Sequence, residues 1–178
     1  RGLYYLDNFA RAGKQSGAWA SDYRIQSTFD GAVTTITSNN NNFVKGAPGA
    51  AVLISLDDAR TLFHEFGHAL HALLQDVRYP GLADPPSDFV EYPSQVNEHW
   101  LLTREVLDRF ARHYQTKAPM PQALVDRIIR SNTFNQGYTT VEYLSAAIAD
   151  LDLHTIPDGT VDPDAFERDT LARIGMPA

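Results

Sequence analysis

"TLFHEFGHALHALL", residues 61–74, is the stretch from which the fold of this 178-residue chain can be read. Its apolar residues Leu62, Phe66, Ala69, Leu70 and Leu73 recur at the spacing of one helix face. Just upstream, Ser55 with Asp58 three residues later makes a capping-box start, in a weaker form than the Glu or Gln version. The pattern predicts a helix over "SLDDARTLFHEFGHALHALLQ", residues 55–75. Into this apolar helix are set His64, Glu65, His68 and His71. Polar side chains in such surroundings are costly unless something satisfies them.

The spacing says what that is. His64 and His68 are four residues apart, so they sit one turn apart on one face. Two imidazoles so placed can converge on one ion at about 2.0–2.1 Å from each nitrogen. Glu65 is turned about 100° from His64 and can reach a water on that ion without ligating it. This is the His-Glu-x-x-His arrangement of zinc metallopeptidases. His71 lies on the same stripe but about 10.5 Å further along the axis than His64. One ion cannot span that distance, so His71 reads as a residue facing substrate or supporting a ligand.

A catalytic zinc takes three protein ligands and keeps one open position. Glu91, in "DFVEYPSQVNEHW" (88–100), is the best candidate for the third, at the start of a following helix. Its spacing also fits a helix-start carboxylate that only favours the helix dipole. Glu98, seven residues on and on the same face, is placed to orient a ligating imidazole, as such imidazoles require. Gln95 and His99 are weaker candidates for that role.

Around this centre the chain has two textures. Residues 1 to about 55 are rich in Tyr, Gly, Ser, Thr and Asn. There "AWASDYRIQSTF" (18–29) and "AVTTITS" (32–38) carry residues that suit strands. "SNNNNF" (38–43) reads as a turn or loop, because Asn tolerates left-handed backbone. After the helix at 55–75, "RYPGLADPPSD" (78–88) reads as a loop. Further helices are expected at about 92–114, with Pro93 in the first turn, and at 121–132, 137–154 and 163–175, with a loop at "IPDGTVDPD" (156–164). No repeat or linker marks a second domain. The expected fold is mainly α with a small β-sheet near the N-terminus: one zincin-like catalytic-domain core, with sheet and loops over 1–55 and a helical zinc-binding part over 56–178.

Composition narrows the functions. Hydrophobic residues make up 43% of the chain, enough for a sizeable core. The formal net charge of −7 argues against nucleic acid or an anionic membrane as partner. There is no cysteine, so thiolate chemistry and disulfides are excluded while the compartment stays open. No apolar run is long enough to span a bilayer, and the chain reads as soluble, its compartment unknown. His113 and His154 read as solvent or packing residues, and Tyr138, Glu142 and Tyr143 as core and surface of a helix.

The segments "FARAGKQSGAWASDYR", "NNNNF", "TLFHEFGHALH", "DFVEYPSQVNEHW" and "FNQGYTTVEYLSAAIADLDLH" cover most of the chain in order. In them the sequence resembles the thimet oligopeptidase family, and within it the bacterial peptidyl-dipeptidase branch. The resemblance implies one Zn2+ per chain bound by His64, His68 and Glu91, with Glu65 as catalytic base. It implies short peptides as substrates, admitted through a deep channel in a long, mostly helical enzyme. It also implies a large N-terminal helical part and a C-terminal stretch, bearing a His and Gly-Tyr-rich sequence, outside these residues. The chain therefore reads as the core of a catalytic domain, either active as a zinc peptidase or zinc-binding but catalytically incomplete, with self-association through exposed apolar surface. An aminopeptidase is disfavoured, because no G-x-M-E-N-like segment is present to bind a substrate amine. A strand near Ala32–Thr37 is expected to offer an edge to an extended peptide.

Overall fold

In the computed structural model, residues 2–157 and 159–177 are described; Arg1, Ala178, and Asp158 within the expected 156–164 loop, lie outside them. The chain divides into two compact units, Arg1–Met120 and Pro121–Ala178. It is mainly helical, with a small sheet near the N-terminus.

The sheet of the first unit has the order β1-β3-β2, from β1 (Leu3–Phe9), β2 (Trp19–Arg24) and β3 (Ile36–Phe43). Strand β3 runs parallel to β1 and antiparallel to β2. Being central, it has no free edge, so Ile36 and Thr37 are not open to an added strand. The expected loop "SNNNNF" is instead most of this strand. Its polar side chains from Thr37 to Asn41 are buried, Asn39 and Asn41 at 0% exposure. They stay in a strand because neighbours bond their amide N–H groups, although Asn41 Oδ1 is buried with no partner among the described residues. The Asn40 amide donates to Trp19 O at 3.2 Å and to Ser38 Oγ at 3.0 Å, and the Asn41 amide to Asn8 Oδ1 at 3.0 Å. With its amide turned to suit its neighbours, Asn39 donates to the Glu65 carbonyl at 2.9 Å and accepts from the Tyr4 hydroxyl at 3.2 Å. Lys14, its side chain only 3% exposed, donates to the carbonyls of Asp7 and Phe9 at 2.9 and 3.2 Å, and to that of Asn41.

Helix α1 (Leu56–Leu74) starts as expected. Asp58 N donates to Ser55 Oγ at 2.9 Å, and Ser55 N to Asp58 Oδ2 at 3.0 Å, closing the capping box. It packs on β3, β2 and α2 (Glu91–Glu98). Phe66 meets the Tyr4 ring edge-on, with centroids 5.3 Å apart, and the Thr35 hydroxyl donates to Ala72 O at 2.9 Å.

The helix expected over 92–114 is broken. Helix α2 gives way to a 3-10 turn at His99–Leu102, and α3 (Arg104–Phe110) begins after it. Thr103 causes the break: its backbone is extended (φ −68°, ψ 147°) and its hydroxyl donates to Trp100 O at 2.7 Å. A Thr side chain bonded to local backbone competes with helix continuation. The 78–88 loop holds a short 3-10 turn, Pro80–Leu82, and the start of a second turn closed by Phe89 N to Pro86 O at 2.9 Å.

The second unit holds α4 (Gln122–Asn132), α5 (Gln136–His154) and α6 (Pro163–Ile174), close to the expected bounds. Helices α5 and α6 pack on each other. Helix α6 has Asp162 as N-cap, accepting from Asp164 N and Ala165 N, with Pro163 behind it. No helix among the described residues is long and apolar enough to cross a membrane.

Candidate metal centre

Two helices of the first unit build the site. Helix α1 presents His64, Glu65 and His68, and Glu91 is the first residue of α2. The helices approach to backbone contact at Gly67. A Cβ there would lie 2.5 Å from Ser94 Cα and 2.7 Å from Pro93 O, so no larger residue fits without moving backbone. One turn away the Asn97 amide donates to Phe63 O at 2.7 Å, locking the register of the pair.

That register brings three donors together. Glu91 Oε2 lies 3.1 Å from His64 Nε2 and 3.2 Å from His68 Nε2. The ligand atoms of all three residues lie within 4.8 Å of one another. Ligands held at about 2.0–2.1 Å from one tetrahedral ion stand roughly 3.3 Å apart, so the donor set fits a zinc-sized cation. The hydrogen bonding of His64 points the same way. Its Nδ1 lies 2.7 Å from Glu98 Oε1, and a carboxylate only accepts, so Nδ1 donates. Nε2 is the nitrogen left facing Glu91 Oε2, at 3.1 Å, and is the one that would ligate a cation shared with that carboxylate.

Glu65 is buried, at 8% exposure, and lines the same cleft. Burial pushes its carboxyl above the ordinary range; the Glu91 charge adds to the rise, while His64, His68 and the Ala20 N–H oppose it. Glu91 moves the other way. The Ser94 hydroxyl, with the charges of His68 and His64, holds its carboxyl low against the opposing effect of desolvation.

The cleft has a volume of about 410 Å3. Residues Ala18–Asp22 of β2 and its approach line it, with His71, Asp84 and Val90 around the centre. Strand β2 bonds β3 on one side only, so the sheet edge beside the site belongs to β2.

Other residues singled out by the sequence fall as follows. His71 lines the cleft outside the ligand cluster, its ring 6.3 Å from that of Phe89. Gln95 is exposed, and His99 Nδ1 faces Val96 O of its own helix at 3.2 Å. His113 and His154 are exposed. Sequence reasoning missed Gly67, Ser94, Asn97 and the Ala20 N–H. Gly67 carried a signal, since glycine inside a helix costs about 1 kcal/mol and marks a close approach. Ser94 also carried one, lying one turn after Glu91.

A family model described as Peptidase family M3 matches residues 1–174. Among curated relatives, the chain is 43% identical to the Dipeptidyl carboxypeptidase of Escherichia coli (strain K12), over 98% of this chain and 26% of that protein. It is 39% identical to the Dipeptidyl carboxypeptidase of Salmonella typhimurium (strain LT2), over 99% of this chain and 27% of that one. It is 34% identical to the Oligopeptidase A of Escherichia coli (strain K12), over 98% and 26%. The chain thus spans about a quarter of the length of these relatives.

Proposed function

Because the chain belongs to peptidase family M3, we propose that it carries the zinc centre and general base of a metallopeptidase that hydrolyses short peptides. The observation that carries this reading is the convergence of His64 Nε2, His68 Nε2 and Glu91 Oε2 within 4.8 Å, in a cleft that also holds Glu65. His64, His68 and Glu91 would hold one Zn2+, whose chemistry is to polarise a scissile carbonyl and acidify a water.

The residues do the rest. Glu98 fixes the His64 ring from behind through Nδ1. Glu65 takes a proton from the attacking water at its carboxylate and passes it to the leaving amine nitrogen. Its burial keeps bulk water from competing for that proton. The outer edge of β2, at residues 19–22, where the Ala20 N–H also serves Glu65, is where the backbone of an extended peptide would pair. The net charge of −7 over this span disfavours nucleic acid as a partner. Identity is higher to the relatives named Dipeptidyl carboxypeptidase than to the one named Oligopeptidase A, which favours release of C-terminal dipeptides over internal cleavage.

The test is hydrolysis of an N-acetylated fluorogenic peptide, with and without a chelator, and product identification by mass. Turnover abolished by chelator and restored by zinc supports the reading. Turnover indifferent to chelator defeats it. Zinc bound at one per chain without turnover would instead favour a zinc-binding span that is catalytically incomplete by itself.

A further inference from the structure

We infer that Ser94 is a positioning residue of the metal centre: its hydroxyl holds the Glu91 carboxylate in ligating orientation, and Gly67 makes the space that buries Ser94 there. The inference rests on the proposed zinc centre and goes beyond its ligand set.

Ser94 is at 0% exposure, while the Glu91 side chain is 52% exposed. A half-exposed Glu with three rotatable bonds does not hold one rotamer unaided. Ser94 Oγ lies 2.8 Å from Glu91 O, the usual partner of a helical serine three residues on. It also lies 2.8 Å from Glu91 Oε2, so its one O–H proton is shared between the two acceptors, and the share that goes to Oε2 is what orients the carboxylate. That oxygen is the one 3.1 and 3.2 Å from the two imidazole nitrogens. A carboxylate oxygen accepting one hydrogen bond keeps a lone pair for a cation. The hydroxyl therefore aims the ligand without using it up.

Gly67 sets the placement. With no Cβ at residue 67, the Ser94 backbone seats directly on α1, at a point between the two histidines in sequence. Gly67, Ser94 and Glu91 Oε2 form one chain of contacts from the floor of the helix pair to the site.

The experiment is a double-mutant cycle on zinc affinity. The zinc dissociation constant is measured by competition with a chelating dye for the wild-type protein, Ser94→Ala, Glu91→Ala and the double variant. Ser94→Ala should weaken zinc about 10- to 100-fold, the range for groups that orient metal ligands. In the Glu91→Ala background the same change should do almost nothing, because no carboxylate remains to be aimed. Ser94→Thr, which keeps the hydroxyl, should stay nearer wild type than Ser94→Ala, and it gives a second test if the alanine variant folds poorly. Ser94→Ala within twofold of wild type would overturn the inference and leave the zinc centre standing. Equal losses in both backgrounds would also overturn it, showing Ser94 to act only through helix packing. Absence of zinc binding by the wild-type protein would remove the metal centre itself, and this inference with it.

Discussion

His64 Nδ1 lies 2.7 Å from Glu98 Oε1, across the interface of α1 and α2, while the other nitrogen of the same ring faces Glu91 Oε2 at 3.1 Å. The imidazole is thus gripped from both ends by carboxylates of one helix. With a cation bound, the far carboxylate would hold the proton on Nδ1 and leave the Nε2 lone pair to ligate. Glu98→Ala should weaken zinc binding about 10- to 100-fold, and Glu98→Gln by less, since an amide oxygen still accepts. Dye competition measures this. Unchanged affinity in Glu98→Ala would mean that the ring orients itself.

The ligand set is tested by separating metal from turnover. His64→Ala and His68→Ala should each lose tight zinc, while Glu91→Ala, which keeps both imidazoles, should bind it more weakly but still measurably. Glu65→Gln should keep it and lose about 10²–10⁴-fold in hydrolysis rate, as expected for a general base. His71→Ala should also keep zinc, since His71 stands outside the ligand cluster. Metal analysis after dialysis scores all five. Zinc retained by both histidine variants would refute the assignment, and zinc lost from His71→Ala would mean a different ligand set.

The residues whose chemistry depends on local spacing were legible in the sequence. His64, Glu65 and His68 share one helix, and helix geometry fixes which of them converge. The capping box at Ser55 was legible for the same reason. Glu91 needed more, because its approach depends on how α2 folds back, and spacing alone left it as fitting a dipole partner equally well. The resemblance pointed to the ligand role, and the structure puts its carboxylate beside both imidazoles. The Asn run failed as a local reading. Asparagine favours loops only while its amide has nothing better to bond, and here β2 and the β1 end supply partners for Asn40 and Asn41. Those partners are about twenty to thirty residues away in sequence, beyond any window of pattern. The break at Thr103 was missed for the opposite reason. It is a local hydroxyl-to-backbone bond that apolar periodicity does not register.

Gly67 makes a prediction with two opposing effects. Alanine is the better helix former by about 1 kcal/mol. Its methyl, however, would stand 2.5 Å from Ser94 Cα, and backbone cannot swing aside as a side chain can. Overpacking of this kind typically costs about 1–3 kcal/mol. Gly67→Ala should therefore lower stability in urea unfolding and also weaken zinc, because α2 carries Glu91 away with it. Gly137 is the control, because a methyl there would meet nothing within 4 Å: Gly137→Ala should be neutral or stabilising. Equal behaviour of the two variants would deny the close helix contact.

Tyr4 links the sheet to α1 and leaves a signature at high pH. Burial against Phe66 pushes its phenol from 10.0 up to about 12. Between those values the unfolded chain sheds the proton while the folded one keeps it. Unfolding is then increasingly favoured as pH rises, so this contribution is complete below pH 10 and is lost through about pH 12. Tyr4→Phe removes the group from both states. At neutral pH the variant should be less stable by about 1 kcal/mol, the net worth of a typical hydrogen bond such as the one from Tyr4 to Asn39. Its stability should then fall less steeply than that of the wild type between pH 10 and 12, so the gap narrows. Urea unfolding at several alkaline pH values gives both curves. Parallel curves across that window would show that the phenol ionises as easily in the folded protein as in the unfolded chain, and that β1 does not seal it against α1.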